Sequence, residues 1–485
     1  MSRQTRRTFL KKSAAAGAGI ATGLTIAGTQ ASGRVLGAND TIRIAVAGIH
    51  GRGGSHIGAY VGMDKVQVTH LVDPDSRLFA GRSEAVKKKG GNTPKCVQDI
   101  REALDDKNLD AVSVATCNHW HALITFWSCQ AGKDVYVEKP CSHNVFEGRQ
   151  CVRAARKYKR IVQHGTQQRS SGGRAAEMAA IQSGKYGKLL VSKGYCCKPR
   201  WSIGFKEPED PPEGLDFNLW LGPAPEQPYH GNLVHYNWHW FWDTGNGDMG
   251  NQGVHEMDVA RWAIKDSTLP KSVISMGCRY VNGEDYKDQG ETPNMELSVF
   301  DYGGVLLVFE TRGLVNKNKE FPFKVANEFY TTEGVVRGGK FTPKQGGKTY
   351  DVEVEPIHVT DGGPFGSFIN CVRSRKVEEV NGEIEQAHYS AALCHLGNIS
   401  YRLGHEVPFS QKPAGFPEVE QVQESLDIIP ENLKVALGMD LGKYTYTLGP
   451  KLEFDPGKEK FVGNPEADKL LTRDYREPFV VTESV

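Results

Sequence analysis

Between residues 41 and 165, short apolar runs alternate with helix-length segments, and few folds accept that spacing. Residues 41–48, 66–72, 110–116, 134–137 and 161–165 read as buried strands. Helices are expected after the first strand as far as Gly62, then over 77–89, 98–105, 121–131 and 146–157. Strands spaced by helices of this length predict a parallel, doubly wound α/β sheet, whose ligands collect at the carboxyl ends of its strands.

The first such end carries Gly48-Ile49-His50-Gly51-Arg52-Gly53-Gly54. In a dinucleotide-binding turn the first glycine makes the tight bend, the second lets backbone approach the pyrophosphate, and the third allows close helix–strand packing. Gly48 and Gly53 hold the first and third places; His50 holds the second. Two readings of that departure stand. Either Gly51 supplies the close approach through a shifted turn, or His50 points away and lends only its backbone N–H. Arg52 sits beside them as a further cofactor-binding candidate. Asp73 closes the second strand, where a carboxylate accepts from ribose hydroxyls and repels a 2′-phosphate. That favours NAD; Arg77, one turn into the next helix, would accommodate the phosphate and keeps NADP open.

Further along the same sheet, Thr116, Asn118 and His121 follow the middle strand and are candidate cofactor contacts. Glu138-Lys139-Pro140 puts a charged pair where the nicotinamide end of a dinucleotide would reach, and the proline restricts how Lys139 enters the cleft. Gln167, Gln168 and Arg169 come just after the last strand and are expected to line the same cleft, Gln168 toward cofactor and Arg169 toward substrate.

A second stretch stands apart, Gly245 through Trp262. As a helix it places Asn251, His255, Asp258 and Trp262 on one stripe, behind glycines at 247, 250 and 253. An aromatic run, Tyr236 to Trp242, precedes it. Tyr236, Trp238 and His239, with Trp201 upstream, suit a carbohydrate platform. The competing reading is a buried histidine capping a glycine-rich loop. His230, His235, His239 and Cys197 lack a carboxylate at ligand spacing, so no metal is expected.

Together the glycine turn with Asp73, Ala115 to His121, Glu138-Lys139-Pro140 and Gly250 to Asp258 resemble the Gfo/Idh/MocA oxidoreductases. Residues 217–225 and 470–480 are similar to the exported, signal-bearing members of that family. The resemblance implies a Rossmann domain followed by an α+β domain with a large, mostly antiparallel sheet, one face of which often forms an oligomer interface. A homo-oligomer, dimer or tetramer, is the corresponding expectation. Family members move hydride between NAD(P) and a ring hydroxyl of a sugar or cyclitol. Carried onto this chain, Lys139 and His255 become the reacting groups, Lys139 as hydrogen-bond donor to the developing alkoxide and His255 as acid–base. Asn251 stands where family members often have aspartate; it orients by hydrogen bonding only, and Asp258 is a candidate to supply the missing charge. Asp258 also has a plain structural reading, as a hydrogen-bonding core residue.

Compartment narrows the chemistry. Thr5 to Lys11 with Arg6-Arg7, then a mildly apolar run over 14–27 and Thr29-Gln30-Ala31, resemble a twin-arginine export signal. Export of a folded protein to the periplasm is expected, with its cofactor already loaded. The ten cysteines would then be mostly buried thiols. With 59 basic and 58 acidic residues and no basic stripe, nucleic acid is not an expected partner, and no apolar run beyond the signal suits a membrane span. Without free nucleotide outside the cytoplasm, the cofactor must be tightly held and reset by a second substrate or within one cycle. Net sugar oxidoreduction fits the first case, redox-assisted glycosidase or lyase chemistry the second. The family's retaining glycosidases lack the lysine of the Glu-Lys-Pro set, so Lys139 favours the first. A sugar-binding protein with a vestigial nucleotide fold draws support from His50 and Asn251. The expected division is 1–38 signal and linker, 39–166 dinucleotide-binding domain, 167–412 substrate and oligomerisation domain, and 413–485 an extended tail packing on the body.

Overall fold

The computed structural model describes residues 40–281, 287–315 and 320–485; the twin-arginine segment lies outside the described residues. Six parallel strands make the first sheet: β1 Ile42–Ala47, β2 Val66–Val72, β3 Lys95–Val97, β4 Ala111–Val114, β5 Asp134–Val137 and β6 Val162–His164. Their spatial order is β3-β2-β1-β4-β5-β6, so the chain reverses direction across the sheet between β1 and β4. A crevice opens at that reversal, above the carboxyl ends. β4 and β5 are buried throughout, and each buried Val or Ile there contributes about 1.5–3 kcal/mol. β3 was not among the expected strands. With three residues and Val97 alone buried, it carries no apolar run to read.

The second sheet has 12 strands, among them Leu189–Cys197, Ser272–Cys278, Met295–Asp301, Leu306–Arg312 and Lys324–Thr331. Its pairs are antiparallel apart from Leu306–Arg312 beside Leu189–Cys197, which run parallel. The helix Ile384–Arg402 lies between the two bodies. Ile384, Ala387 and Ala391 join the first core, while Leu393, Leu396 and Ile399 join the second. A helix buried on both sides loses its amphipathic stripe, which is why its sequence shows little periodicity.

The tail departs from the expected extended course. Residues Glu420–Leu437 form a helix with Pro430 inside it. An interior proline costs about 3 kcal/mol. Against that, Val422, Leu426, Ile429 and Leu433 fall on one face and are buried against the large sheet, each contributing about 1.5–3 kcal/mol, so the stripe wins. Beyond it, Thr445–Leu448 and Leu452–Asp455 pair with Ser272–Cys278, and Phe479 and Val481 return to the first core. All ten cysteines are free thiols, with Cys96 and Cys117 partly exposed and the others buried. Among the described residues, no helix is long and apolar enough to cross a membrane.

Candidate active site

The glycine turn follows from β1. Gly48 has φ +78°, and a Cβ there would stand 2.6 Å from the backbone of Ala115 and Thr116 on the neighbouring strand's exit. A Cβ on Gly53 would fall 1.7 Å from the Gly48 carbonyl oxygen, so the third glycine serves helix–strand contact. Gly51 has open space, with nothing within 4 Å of a built Cβ. His50 turns its ring toward the second domain, where it stacks on His235 with centroids 4.4 Å apart. Of the two readings of His50, the one in which its side chain leaves the turn describes the structure.

Asp73 sits at the tip of β2, its Oδ2 accepting from Ile49 N (2.9 Å) and Oδ1 from Asp75 N (3.0 Å). Burial pushes its pKa up to about 6, in part offset by those two amides. Each carboxylate oxygen retains a lone pair for a ribose hydroxyl. Arg77 does not face that position. Its Nε and Nη2 reach Asp75 at 2.7 and 2.6 Å, which withdraws the guanidinium from any 2′-phosphate. The expectation of Arg77 as a cofactor contact is corrected: Asp75, two residues after Asp73, is the stronger claimant on its charge.

At the other end of the crevice, Glu138, Lys139 and the cis Pro140 follow β5. Burial would raise the Glu138 carboxyl, but His56 Nε2 at 3.0 Å and Arg52 Nε at 2.7 Å outweigh it and hold the group well below the usual carboxylate range. Arg52 therefore spends its charge on Glu138. Lys139 Nζ donates to the main-chain oxygen of Asn251, which fixes the amine to the second domain. Burial lowers its pKa, opposed by the charge of Glu138. His121 is buried below, its Nδ1 2.6 Å from the Pro140 oxygen and Nε2 3.0 Å from Thr116 O, so it shapes the lysine turn. Asn118 Nδ2 donates to Asn246 Oδ1 at 3.2 Å, a second tie between the domains.

The glycine-rich stretch is not a helix from its start. Met249–Gly253 forms a π turn, and the α-helix runs Val254–Ala263. Such a turn widens the coil locally and is frequent at functional sites. It presents the Asn251 carbonyl to Lys139 and turns His255 into the crevice. Burial, together with the nearby Lys139 charge, pushes the His255 pKa down to about 3. The imidazole is thus neutral at pH 7.

Two predicted partners lie elsewhere. Asp258 accepts from Arg169 Nε at 2.9 Å and from Ser390 Oγ at 2.6 Å, and is 1% exposed. It supplies Arg169 with a counter-charge, which matches its structural reading as a hydrogen-bonding core residue, while its charge reaches His255 only as a minor influence; the expectation of Arg169 as a substrate contact is corrected. Both sit behind the crevice. Gln168 is likewise outside it, accepting from Arg174; the neighbouring Gln167 lines it instead. Trp201 is 38% exposed and lies off the cavity wall.

One cavity of about 470 Å³ joins the rest. Its wall includes Gly48, His50, Gly51, Arg52 and Asp73 together with Thr116, Asn118, His121, Glu138, Lys139, Asn251 and His255. Tyr236, Trp238 and His239 close it from the second domain, with Trp238 and His239 stacked at 3.5 Å. Sequence reasoning missed Gln98, Trp220 and His235 on the same wall. Gln98 follows the unrecognised β3, Trp220 falls in the 217–225 block that carries only a family resemblance, and His235 is weighed in the sequence only as a metal ligand. The cavity fits a dinucleotide: a tight turn at Gly48, an open glycine face at Gly51, a carboxylate with free lone pairs, and a volume in the usual ligand range. Among the described residues, no group of three or more His, Cys, Asp or Glu side chains could hold a metal ion.

The pH dependence follows from the two directions. If oxidation needs neutral His255 and charged Lys139, kcat/KM for a hydroxyl substrate stays flat from neutrality to well below pH 6.5, then falls as His255 protonates. On the alkaline side it falls before the ordinary lysine value of 10.5. A pH–rate profile checks both limbs, and an acid limb near the ordinary histidine value of 6.5 would contradict a depressed His255.

Residues 42–166 match the family model described as an oxidoreductase family with an NAD-binding Rossmann fold, and residues 182–281 match the C-terminal alpha/beta domain of the same description. A glycosyl hydrolase family 109 protein of Shewanella pealeana is 24% identical over 215 residues, 41% of this chain and 47% of that protein. Inositol 2-dehydrogenase of Salmonella typhimurium is 27% identical over 156 residues, 32% of this chain and 45% of the enzyme. The chain thus spans about half the length of these curated relatives. In fold, it is similar to the WlbA dehydrogenase of Bordetella pertussis in complex with NADH and UDP-GlcNAcA: TM-score 0.54, 17% identity, covering 75% of this chain and 97% of that one.

Proposed function

Residues 42–166 and 182–281 carry the two domains of the Gfo/Idh/MocA oxidoreductase family, and from that premise we propose that this protein transfers hydride between a tightly held NAD and a ring hydroxyl of a sugar, glycoside or cyclitol. One observation carries the reading: Lys139 from the first domain and His255 from the second open into the same cavity as Gly48 and Asp73. Nicotinamide, when bound, supplies the hydride acceptor or donor. The chain's own groups do the rest. Lys139, with one N–H committed to Asn251, turns its other donors to the substrate oxygen and stabilises negative charge there. His255 takes the hydroxyl proton as charge develops, and returns it in the reverse direction. Tyr236, Trp238 and His239 offer the aromatic faces against which a sugar ring packs. Sequestration of Arg77 by Asp75 supports NAD over NADP. The Arg6-Arg7 segment supports periplasmic placement, and the family resemblance a homo-oligomer.

A second reading has one specific support, the match to a glycosyl hydrolase family 109 protein: transient oxidation that lets a glycosidic bond eliminate. Lys139 speaks for net oxidoreduction. Purified protein, denatured and analysed by mass spectrometry, is expected to release NAD in stoichiometric amount. A screen of pyranosides, glycosides and inositols should then yield keto-sugar. Free sugar from glycosides without keto product would select the second reading, and no nucleotide under any loading condition would reject both.

A further inference from the structure

His50, which breaks the glycine pattern, has a partner that the turn itself does not require. Its ring lies over His235 with 7° between the planes. His235 belongs to the segment between the strand Leu189–Cys197 and the π turn, and this segment crosses onto the first domain. Ser76 N and Oγ both donate to Gly214 O at 2.9 Å, Asp216 N donates to Pro74 O at 2.9 Å, and Leu215 bridges to Asp75. His235 Nε2 meets Asp75 Oδ2 at 2.8 Å. Asp75 is 1% exposed and donates its own N–H to Asp73, the carboxylate placed for the ribose. The crossing segment is therefore fastened at both places a dinucleotide would use, the glycine turn through His50 and the end of β2 through Asp75. His50 and His235 both line the cavity.

We propose that residues 214–239 form a strap latched over the nucleotide cleft by His50, His235 and Asp75, which keeps the dinucleotide resident from one turnover to the next. The proposal rests on the hydride-transfer reading above. A ring nitrogen on a buried carboxylate binds more strongly than a neutral pair, and the stack must part before a nucleotide beneath it can leave. The latch therefore acts on dissociation rather than on association.

The test is a chase. Protein loaded with radiolabelled NAD is mixed with excess unlabelled NAD, and retained label is followed for the wild type, His235→Ala and His235→Phe. The wild type is expected to exchange more slowly than it turns over. His235→Ala should release label at least about tenfold faster. His235→Phe keeps a ring against His50 but loses the Asp75 bond, and should fall between. Should the alanine variant fail to fold, the phenylalanine variant decides: release within about twofold of the wild type overturns the latch. Exchange of wild-type label within a single turnover also overturns it. Absence of bound label at time zero would instead sink the hydride-transfer reading.

Discussion

Lys139→Met is expected to lower turnover by about 10²–10⁴-fold while NAD remains bound. Methionine keeps the length and apolar bulk of the lysine stem but removes the charge and the donors. Gly48, Gly51 and Asp73, the residues proposed to hold the nucleotide on the same cavity wall, are left unchanged by the substitution. The amine is poised for this role by three features. It is buried, it is anchored to the Asn251 carbonyl, and its neighbour Glu138 is already paired with Arg52 and hydrogen-bonded to His56, so the amine is not tied up in an ion pair with it. Steady-state rates, with bound NAD measured after denaturation of the same preparation, check the prediction. Turnover within about tenfold of wild type, with NAD retained, would remove Lys139 from the chemistry.

Arg169→Met should act on stability. Asp258 would be left buried at 1% exposure with Ser390 as its remaining close donor, and breaking a buried pair in this way costs about 3–5 kcal/mol. Apparent urea and thermal midpoints, read at fixed NAD concentration, are expected to fall accordingly. The double variant Arg169→Met with Asp258→Leu removes both charges and should recover much of the loss. The opposite pattern, an unchanged midpoint with a selective drop in kcat, would return the pair to a catalytic role. Because these residues stand behind His255, partial loss of activity alone does not separate the two; the midpoint does.

Much of the first domain was legible from local pattern. β2 and β5 fall on the expected residues, and β1, β4 and β6 differ by one or two residues at each end. Buried parallel strands are continuous apolar runs, so they announce themselves. β3 and the helix Glu420–Leu437 did not. The strand is too short to have a period, and in the helix a proline masked an apolar stripe that gains its stability only from the sheet beneath it. The groups proposed to react were legible for a similar reason: Lys139 follows a buried strand, and His255 opens a helix after a glycine-rich approach. The charge partners were another matter. Asp258 reads as a companion of His255, three residues before it, yet pairs with Arg169, 89 residues away.

By itself, the sequence determined which backbone segments are strands and helices, where a glycine must stand in a tight turn, and hence which side chains lie at the ends of strands. Those are short-range properties, set by steric freedom and by the periodicity of apolar side chains. Tertiary structure alone decided which ions meet: Arg77 with Asp75, Arg52 with Glu138, Arg169 with Asp258, and the two stacked imidazoles across the domain boundary. Burial strips water from a charge, and the group that replaces the water is whichever one the packed chain brings within hydrogen-bond reach.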